Sequence, residues 1–256
     1  MLSRTVSEVP AIKLFIFLCL GSLLAACAQP AAQETVTVAV AANFKPALDR
    51  LETDFEARTE FKLDVVVGST GKLYAQIVYG APYDVFLAAD QERPVRLIEE
   101  TQAVEGSRFT YALGRLLLWG TDTPAKLSTP EIKRIAIANP NLAPYGKAAE
   151  QLIERLGLTE AIETKLVLGE NVGQAFAFVR TGNAQLGFVS EAQIIGLDDG
   201  DMTPSWHPPA DLFDPIAQDA VLLTRAEDKP AALAFMTYLQ SDDARDIIAQ
   251  HGYDLP

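Results

Sequence analysis

VVVGSTGKLYAQI, from Val65 to Ile77, is the stretch whose reading decides the rest of the chain. It begins as a β-branched run, turns on Gly68-Ser69-Thr70-Gly71, and then takes up helical apolar spacing at Leu73, Ile77 and Val78. A strand that runs through small polar residues into a helix start is a place for an anion. The first backbone N–H groups of a helix lack intrahelical partners, and the helix dipole puts partial positive charge there. A nucleotide phosphate loop would need a glycine five positions before Gly71 and a Ser or Thr after the lysine. The chain has Val66 and Leu73 at those places, so a P-loop nucleotide hydrolase is a weak reading and the anion reading stands.

Outward from this stretch the same junction recurs. Thr35–Ala42 is a strand by its β-branched content, and Asn43 follows at an N-cap position before a helix carrying Phe44, Ala47, Leu48, Leu51 and Phe55. Strands are predicted at 63–67, 84–89, 113–119, 134–138, 165–168, 186–190 and 220–223. Helices alternate with them, ending in a closing helical region over 230–250. This alternation predicts an α/β fold with a mainly parallel sheet, in which ligands sit outside the carboxyl ends of strands. Four strand-to-helix junctions share one chemistry: Ala42-Asn43, Gly68-Ser69-Thr70, Pro144-Tyr145-Gly146 and Asn171-Val172-Gly173. Each is small or neutral polar, and each opens a helix.

The 256-residue chain has 21 Lys and Arg against 34 Asp and Glu, a net charge of −13. Nucleic acid is excluded as a partner on these grounds, because phosphate backbones demand a basic face. An acidic protein that binds an anion does so with local dipoles and not with its overall field. At the N-terminus, Arg4 and Lys13 precede the apolar run Leu14–Leu24, which has the length of a signal-peptide core and is too short to span a bilayer. The run ends in Leu24-Ala25-Ala26-Cys27, which resembles a bacterial lipobox with Cys27 as the lipidated first residue; the alternative is an ordinary signal peptide cut near Ala28 or Ala32. Export is expected either way. Residues 1–26 are thus expected to be a signal peptide and 27–33 a tether. Cys19 lies inside the removed segment, which leaves the mature chain without a disulfide.

Enzyme chemistry finds no purchase. The two histidines, His207 and His251, sit away from strand ends and have no Ser or Cys partner nearby in sequence, and no GxSxG or HExxH occurs. No catalytic residue and no resident cofactor are expected. Asp198-Asp199-Gly200-Asp201 lacks the spacing and terminal Glu of a calcium loop and reads as a solvated turn. Lys72 and Lys147 read as solvated lysines at the cleft mouth, Glu170 as a solvated first-turn charge, and Tyr74, Tyr79 and Tyr83 as packing residues.

Five segments carry a family resemblance: AVAANF (39–44), GSTGKLYAQI (68–77), GAPYDVFLAADQ (80–91), ANPNLAPYGKAAEQL (138–152) and ENVGQAFAFVRTGNAQLGFV (170–189). In this order they resemble the periplasmic molybdate-binding proteins of ABC transporters, from about Thr35 to the C-terminus. The resemblance implies a type II periplasmic-binding fold, two α/β lobes with a ligand cleft between them, here expected as 34–112 plus 224–256 and 113–223. It implies an extracytoplasmic solute-binding protein, a monomer that captures molybdate or tungstate and delivers it to a permease and its ATPase. Carried over by position, the ligand residues are Ala42, Asn43 and Ser69 from one lobe and Tyr145 and Val172 from the other, with Thr70 and Ser190 as possible additions. Some relatives place a Tyr hydroxyl on the ligand where this chain has Ser190, which is shorter, so Tyr145 is expected to close the pocket instead. A different tetrahedral oxyanion, sulfate or thiosulfate, is the alternative cargo. A donor-only site demands a fully ionised ligand, which molybdate, tungstate and sulfate all are.

Overall fold

The computed structural model describes residues 33–195, 197 and 203–256. The signal peptide, Cys27, most of the tether and the acidic turn 198–201 lie outside the described residues. From Glu34 onward the chain forms one unit built on two sheets. In chain order the strands are β1 Thr35–Ala41, β2 Lys62–Gly68, β3 Val85–Leu87, β4 Phe109–Gly114, β5 Leu116–Trp119, β6 Ile135–Ala138, β7 Leu166–Gly169, β8 Leu186–Ser190, β9 Ser205–Trp206 and β10 Ile216–Leu222. The first sheet has the order β2-β1-β3-β10-β4 and the second β7-β6-β8-β5-β9. Within each, the three strands at the β2 or β7 side run parallel, and β10 or β5 joins them antiparallel.

The parallel strands feed helices, as right-handed crossovers require. The helices are α1 Lys45–Arg58, α2 Thr70–Val78, α3 Glu92–Glu99, α4 Pro144–Arg155, α5 Thr159–Ile162, α6 Val172–Arg180, α7 Pro230–Tyr238 and α8 Asp242–Gln250. In the first lobe α1, α7 and α8 cover one face through Leu48, Leu51, Phe55, Phe235 and Ile248, with Phe44 just before α1. Leu73, Ile77 and Leu97 of α2 and α3 cover the other. The second lobe has its own core of Leu117, Ile135, Ile137, Leu152, Ile162 and Phe188. Trp119 stacks on Phe176 there, with ring centroids 5.1 Å apart. This is the two-lobed α/β fold that the resemblance implies. Where the alternation predicts a mainly parallel sheet, however, each sheet is mixed, with two parallel and two antiparallel pairings, because β10 and β5 enter against the parallel strands.

Three local expectations change. The single strand predicted over 113–119 is two strands, and the chain passes from the first sheet to the second between Gly114 and Leu116. The last strand starts at Ile216, earlier than 220, and it lies in the first sheet between β3 and β4. The return crossing thus falls between Trp206 and Ile216, so strand membership differs from the expected lobe edges at 112/113 and 223/224. The polar pair Gln218-Asp219, where the β4–β10 register shifts, hides this strand from a hydropathy pattern. Finally, the closing region is two helices, broken where Ser241 caps α8 by accepting from the Ala244 N–H.

Candidate functional site

Each junction singled out by its chemistry begins a helical segment at the carboxyl end of a strand. After β1 comes a single 3₁₀ turn, Ala42–Phe44, leading into α1; β2 leads into α2, β6 into α4 and β7 into α6. Two of these starts belong to the first lobe and two to the second. All four meet at one pocket with about 190 Å³ of non-atom space. Its lining contains Ala42, Asn43, Ser69, Thr70, Tyr145 and Val172, together with Ala41, Gly68, Ala89, Ala143, Pro144 and Asn171. None of these side chains is charged.

Local sequence explains how these helix starts are held at the pocket. Ser69 is the N-cap of α2, with its Oγ accepting from the Lys72 N–H at 3.4 Å, and Asn171 caps α6 by accepting from the Gln174 N–H at 3.0 Å. Pro144 occupies the first turn of α4, where its missing N–H costs little. The hydroxyl of Thr70 accepts from the Ala89 N–H at 3.1 Å, which leaves its own proton to donate. The lobes approach closely at the site: a Cβ on Gly173 would stand 3.5 Å from the Ala42 Cβ. Across the same gap the Gly71 N–H donates to the Leu142 carbonyl at 2.8 Å.

Two of the expected residues behave differently from the reading of their sequence. Asn43 does not cap a helix: it lies inside the 3₁₀ turn, fully buried, and Ala41 holds the cap position. Its Nδ2 donates to Gln218 Oε1 at 2.8 Å and to the Tyr253 hydroxyl at 3.1 Å, so the side-chain donor is already engaged and the backbone N–H is what it can offer the pocket. Ser190 does not line the pocket. It stands behind it, with its Oγ donating to the Tyr145 hydroxyl at 3.1 Å.

Lys72 and Glu170 are solvent-exposed, as read, and in addition pair with each other across the lobes. Lys147 lies outside this pocket. Beside the pocket the buried tyrosines are perturbed, as is Asp90 next to Ala89, whose carboxyl is raised by burial against the pull of Arg93. Burial pushes the Tyr145 hydroxyl above the ordinary phenol range, against the Ser190 hydroxyl and the nearby Gln218 and Asn43 amides, which favour its oxygen as an acceptor. Tyr111 and Tyr253 are raised by burial as well.

Sequence reasoning missed Gln218, Tyr111 and Tyr253, which pack behind the pocket. A signal for Gln218 was present: Gln218-Asp219 directly precedes an apolar run. A polar pair buried in a strand has partners to satisfy. Among the described residues no cluster of His, Cys, Asp and Glu could hold a bare metal cation, and no helix is long and apolar enough to cross a membrane.

A pocket built from uncharged donors and four helix N-termini can bind an anion that needs no acceptor. Comparison with known proteins agrees with that chemistry. A family model described as bacterial extracellular solute-binding protein matches residues 36–254. The chain is 47% identical over 244 residues to the molybdate-binding protein ModA of Azotobacter vinelandii, covering 92% of this chain and 95% of that one. It is 42% identical over 238 residues to ModA of Rhodobacter capsulatus, covering 91% and 93%. Among solved structures, the periplasmic molybdate-binding protein of Azotobacter vinelandii matches with a TM-score of 0.81 at 38% identity, covering 86% of this chain and 99% of that chain.

Proposed function

The chain belongs to the bacterial extracellular solute-binding protein family, and from that premise we propose that it captures molybdate, and tungstate with it, for an ABC transporter. The observation that carries the reading is the convergence of four helix starts, two from each lobe, on a pocket without a charged side chain. Each helix N-terminus presents partial positive charge, so the starts of α2, α4 and α6, with the 3₁₀ turn leading into α1, favour an anion between them. Hydrogen bonds to a charged group contribute about 1.5–3 kcal/mol each, from which desolvation and lobe closure are subtracted.

The same pocket selects against partly protonated phosphate. A proton on the ligand needs an acceptor, and no carboxylate lines the pocket. Glu170, the nearest in sequence, is held by Lys72. Residues from both lobes wrap one ligand, so binding draws the lobes together. The closed face is what a permease pair, powered by a cytoplasmic ATPase, would recognise. We assign the ligand contacts to Ala42, Asn43, Ser69, Thr70, Tyr145 and Val172, with a monomer as the binding unit and no catalytic step. Family membership puts the protein outside the cytoplasm. Anchoring through a lipid on Cys27 is our reading of the lipobox-like Leu24-Ala25-Ala26-Cys27.

Thermal denaturation tests the assignment. Ligand at a thousand times Kd stabilises by about 4 kcal/mol, a shift of several degrees in Tm. Molybdate and tungstate are expected to give that shift and phosphate none; no shift with either metal oxyanion would refute it.

A further inference from the structure

Behind Tyr145 lies a buried polar cluster that the binding reading does not use. Gln218, on β10, is fully buried, and its Nε2 makes no hydrogen bond. Its Oε1 accepts from Asn43 Nδ2 at 2.8 Å and from the Tyr111 hydroxyl at 3.2 Å. These contacts fix which end of the amide is which. The Tyr253 hydroxyl donates to the Asn43 carbonyl at 2.8 Å, so it accepts from Asn43 Nδ2, and that atom must be the amide nitrogen. Turning the Gln218 amide over would set two donors against each other. An orphaned buried N–H₂ is costly, so it calls for a purpose.

The group that Nε2 faces is the Tyr145 hydroxyl. A Cβ placed on Gly114 would stand 2.8 Å from Gln218 Nε2 and 2.3 Å from Tyr145 Oη, so the two converge on one spot above the crossing strand. From another side Ser190 Oγ donates to the same phenol oxygen at 3.1 Å. With Ser190 donating to the phenol oxygen and Gln218 Nε2 standing close beside it, the acceptor side of the hydroxyl is flanked by donors and its own proton is directed elsewhere. Tyr145 lines the pocket.

We propose that Gln218 is a positioning residue for the anion site: with Ser190 it occupies the acceptor side of the Tyr145 hydroxyl, so that the Tyr145 proton points into the pocket as a donor. This rests on the oxyanion reading above and adds to it a reason why the pocket selects a ligand without protons. The Tyr145 oxygen is denied to ligand donors, and only its O–H is offered. Gln218 sits on a first-lobe strand and Tyr145 on a second-lobe helix, so the same contact ties the hydroxyl's orientation to lobe closure.

The experiment is a double-mutant cycle on molybdate affinity, read by titration calorimetry. Gln218→Met and Ser190→Ala are each made in the natural chain and in Tyr145→Phe, with the melting temperature of every ligand-free variant as a check on folding. The expected result is a loss of affinity at least about fivefold larger in the Tyr145 background than in the Tyr145→Phe background, for each variant. A merely structural role for Gln218 would lower both backgrounds by the same factor, and equal losses would overturn the proposal. Should Gln218→Met not fold, Ser190→Ala measures the coupling from the other donor under the same criterion. Failure of the natural chain to bind molybdate defeats the oxyanion reading itself; binding with equal losses defeats only the role given to Gln218.

Discussion

Lys72 Nζ lies 2.9 and 3.1 Å from the two carboxylate oxygens of Glu170, joining the first turn of α2 in one lobe to the loop before α6 in the other. The pair stands beside the pocket and outside its lining. It neutralises the one lysine that a nucleotide-loop reading would have aimed at the ligand.

Both side chains are about half exposed, and exposed pairs contribute about 0–1 kcal/mol. Lys72→Ala is therefore expected to weaken molybdate binding by no more than about fivefold, mainly through faster release. The effect should shrink as salt is raised, because screening already weakens the exposed pair. Stopped-flow release at low and high salt checks this. A hundredfold loss that persists in high salt would make Lys72 a direct ligand.

The cradle is held to consist mainly of backbone N–H groups, and Val172→Pro isolates one of them. Val172 is the first residue of α6, a position where proline suits a helix, and Asn171 before it is already extended at φ −143° and ψ 174°. The substitution deletes a pocket N–H without breaking the helix, and only the small Val side chain is lost from packing. Affinity is expected to fall about tenfold or more, as befits a hydrogen bond to a charged group. Ser69→Ala, which removes one hydroxyl and keeps its N–H, is expected to cost less. Calorimetry on the two variants decides; a larger loss for Ser69→Ala would show that side chains dominate.

Gly114→Ala should damage both stability and binding. The added Cβ would press on Tyr145 Oη and Gln218 Nε2 at 2.3 and 2.8 Å. Overpacking of this kind costs about 1–3 kcal/mol. The displaced group is the pocket tyrosine, so the loss in molybdate affinity should exceed that of a comparable strain elsewhere. A melt and a titration on one sample check both; natural affinity in the variant would contradict the tight packing of Tyr145.

Affinity should be flat from about pH 6 to 9. The pocket lining has one titratable side chain, Tyr145, and burial raises its pKa above the ordinary value of 10.0. A raised phenol pKa keeps the O–H form, the form that donates, at every pH below that value. The donor is lost only as pH climbs through the raised folded pKa, where a phenolate would also repel the anion. Titrations across this range test the sign: a drop in affinity between pH 7 and 9 would mean that the hydroxyl ionises early.

How much was legible in the sequence follows from how local each feature is. The four junctions could be read because a β-branched run, a small polar turn and a helical repeat lie within a dozen residues of one another, as in VVVGSTGKLYAQI. That they meet in one pocket came from the family resemblance and not from the pattern. The crossings between lobes were less visible. Phe109–Trp119 is nearly continuous in its apolar character, and only Gly114-Arg115 marks where it changes sheet. The cluster behind the pocket was hidden for another reason. Asn43 and Gln218 are 175 residues apart and Lys72 and Glu170 are 98 apart, so each residue alone resembles a cap, a loop or a solvated charge. Their partners, and with them their roles, exist only in the folded chain.

The central claim is that this uncharged cradle is sized and polarised for a tetrahedral dianion of molybdenum or tungsten. Titration calorimetry of the mature chain with molybdate, tungstate and sulfate at the same pH and salt tests it most directly. The account predicts one tight site per chain for molybdate and tungstate, competing with each other, and much weaker binding of sulfate. Sulfate binding as tightly as molybdate, or no heat from either metal oxyanion, would contradict it.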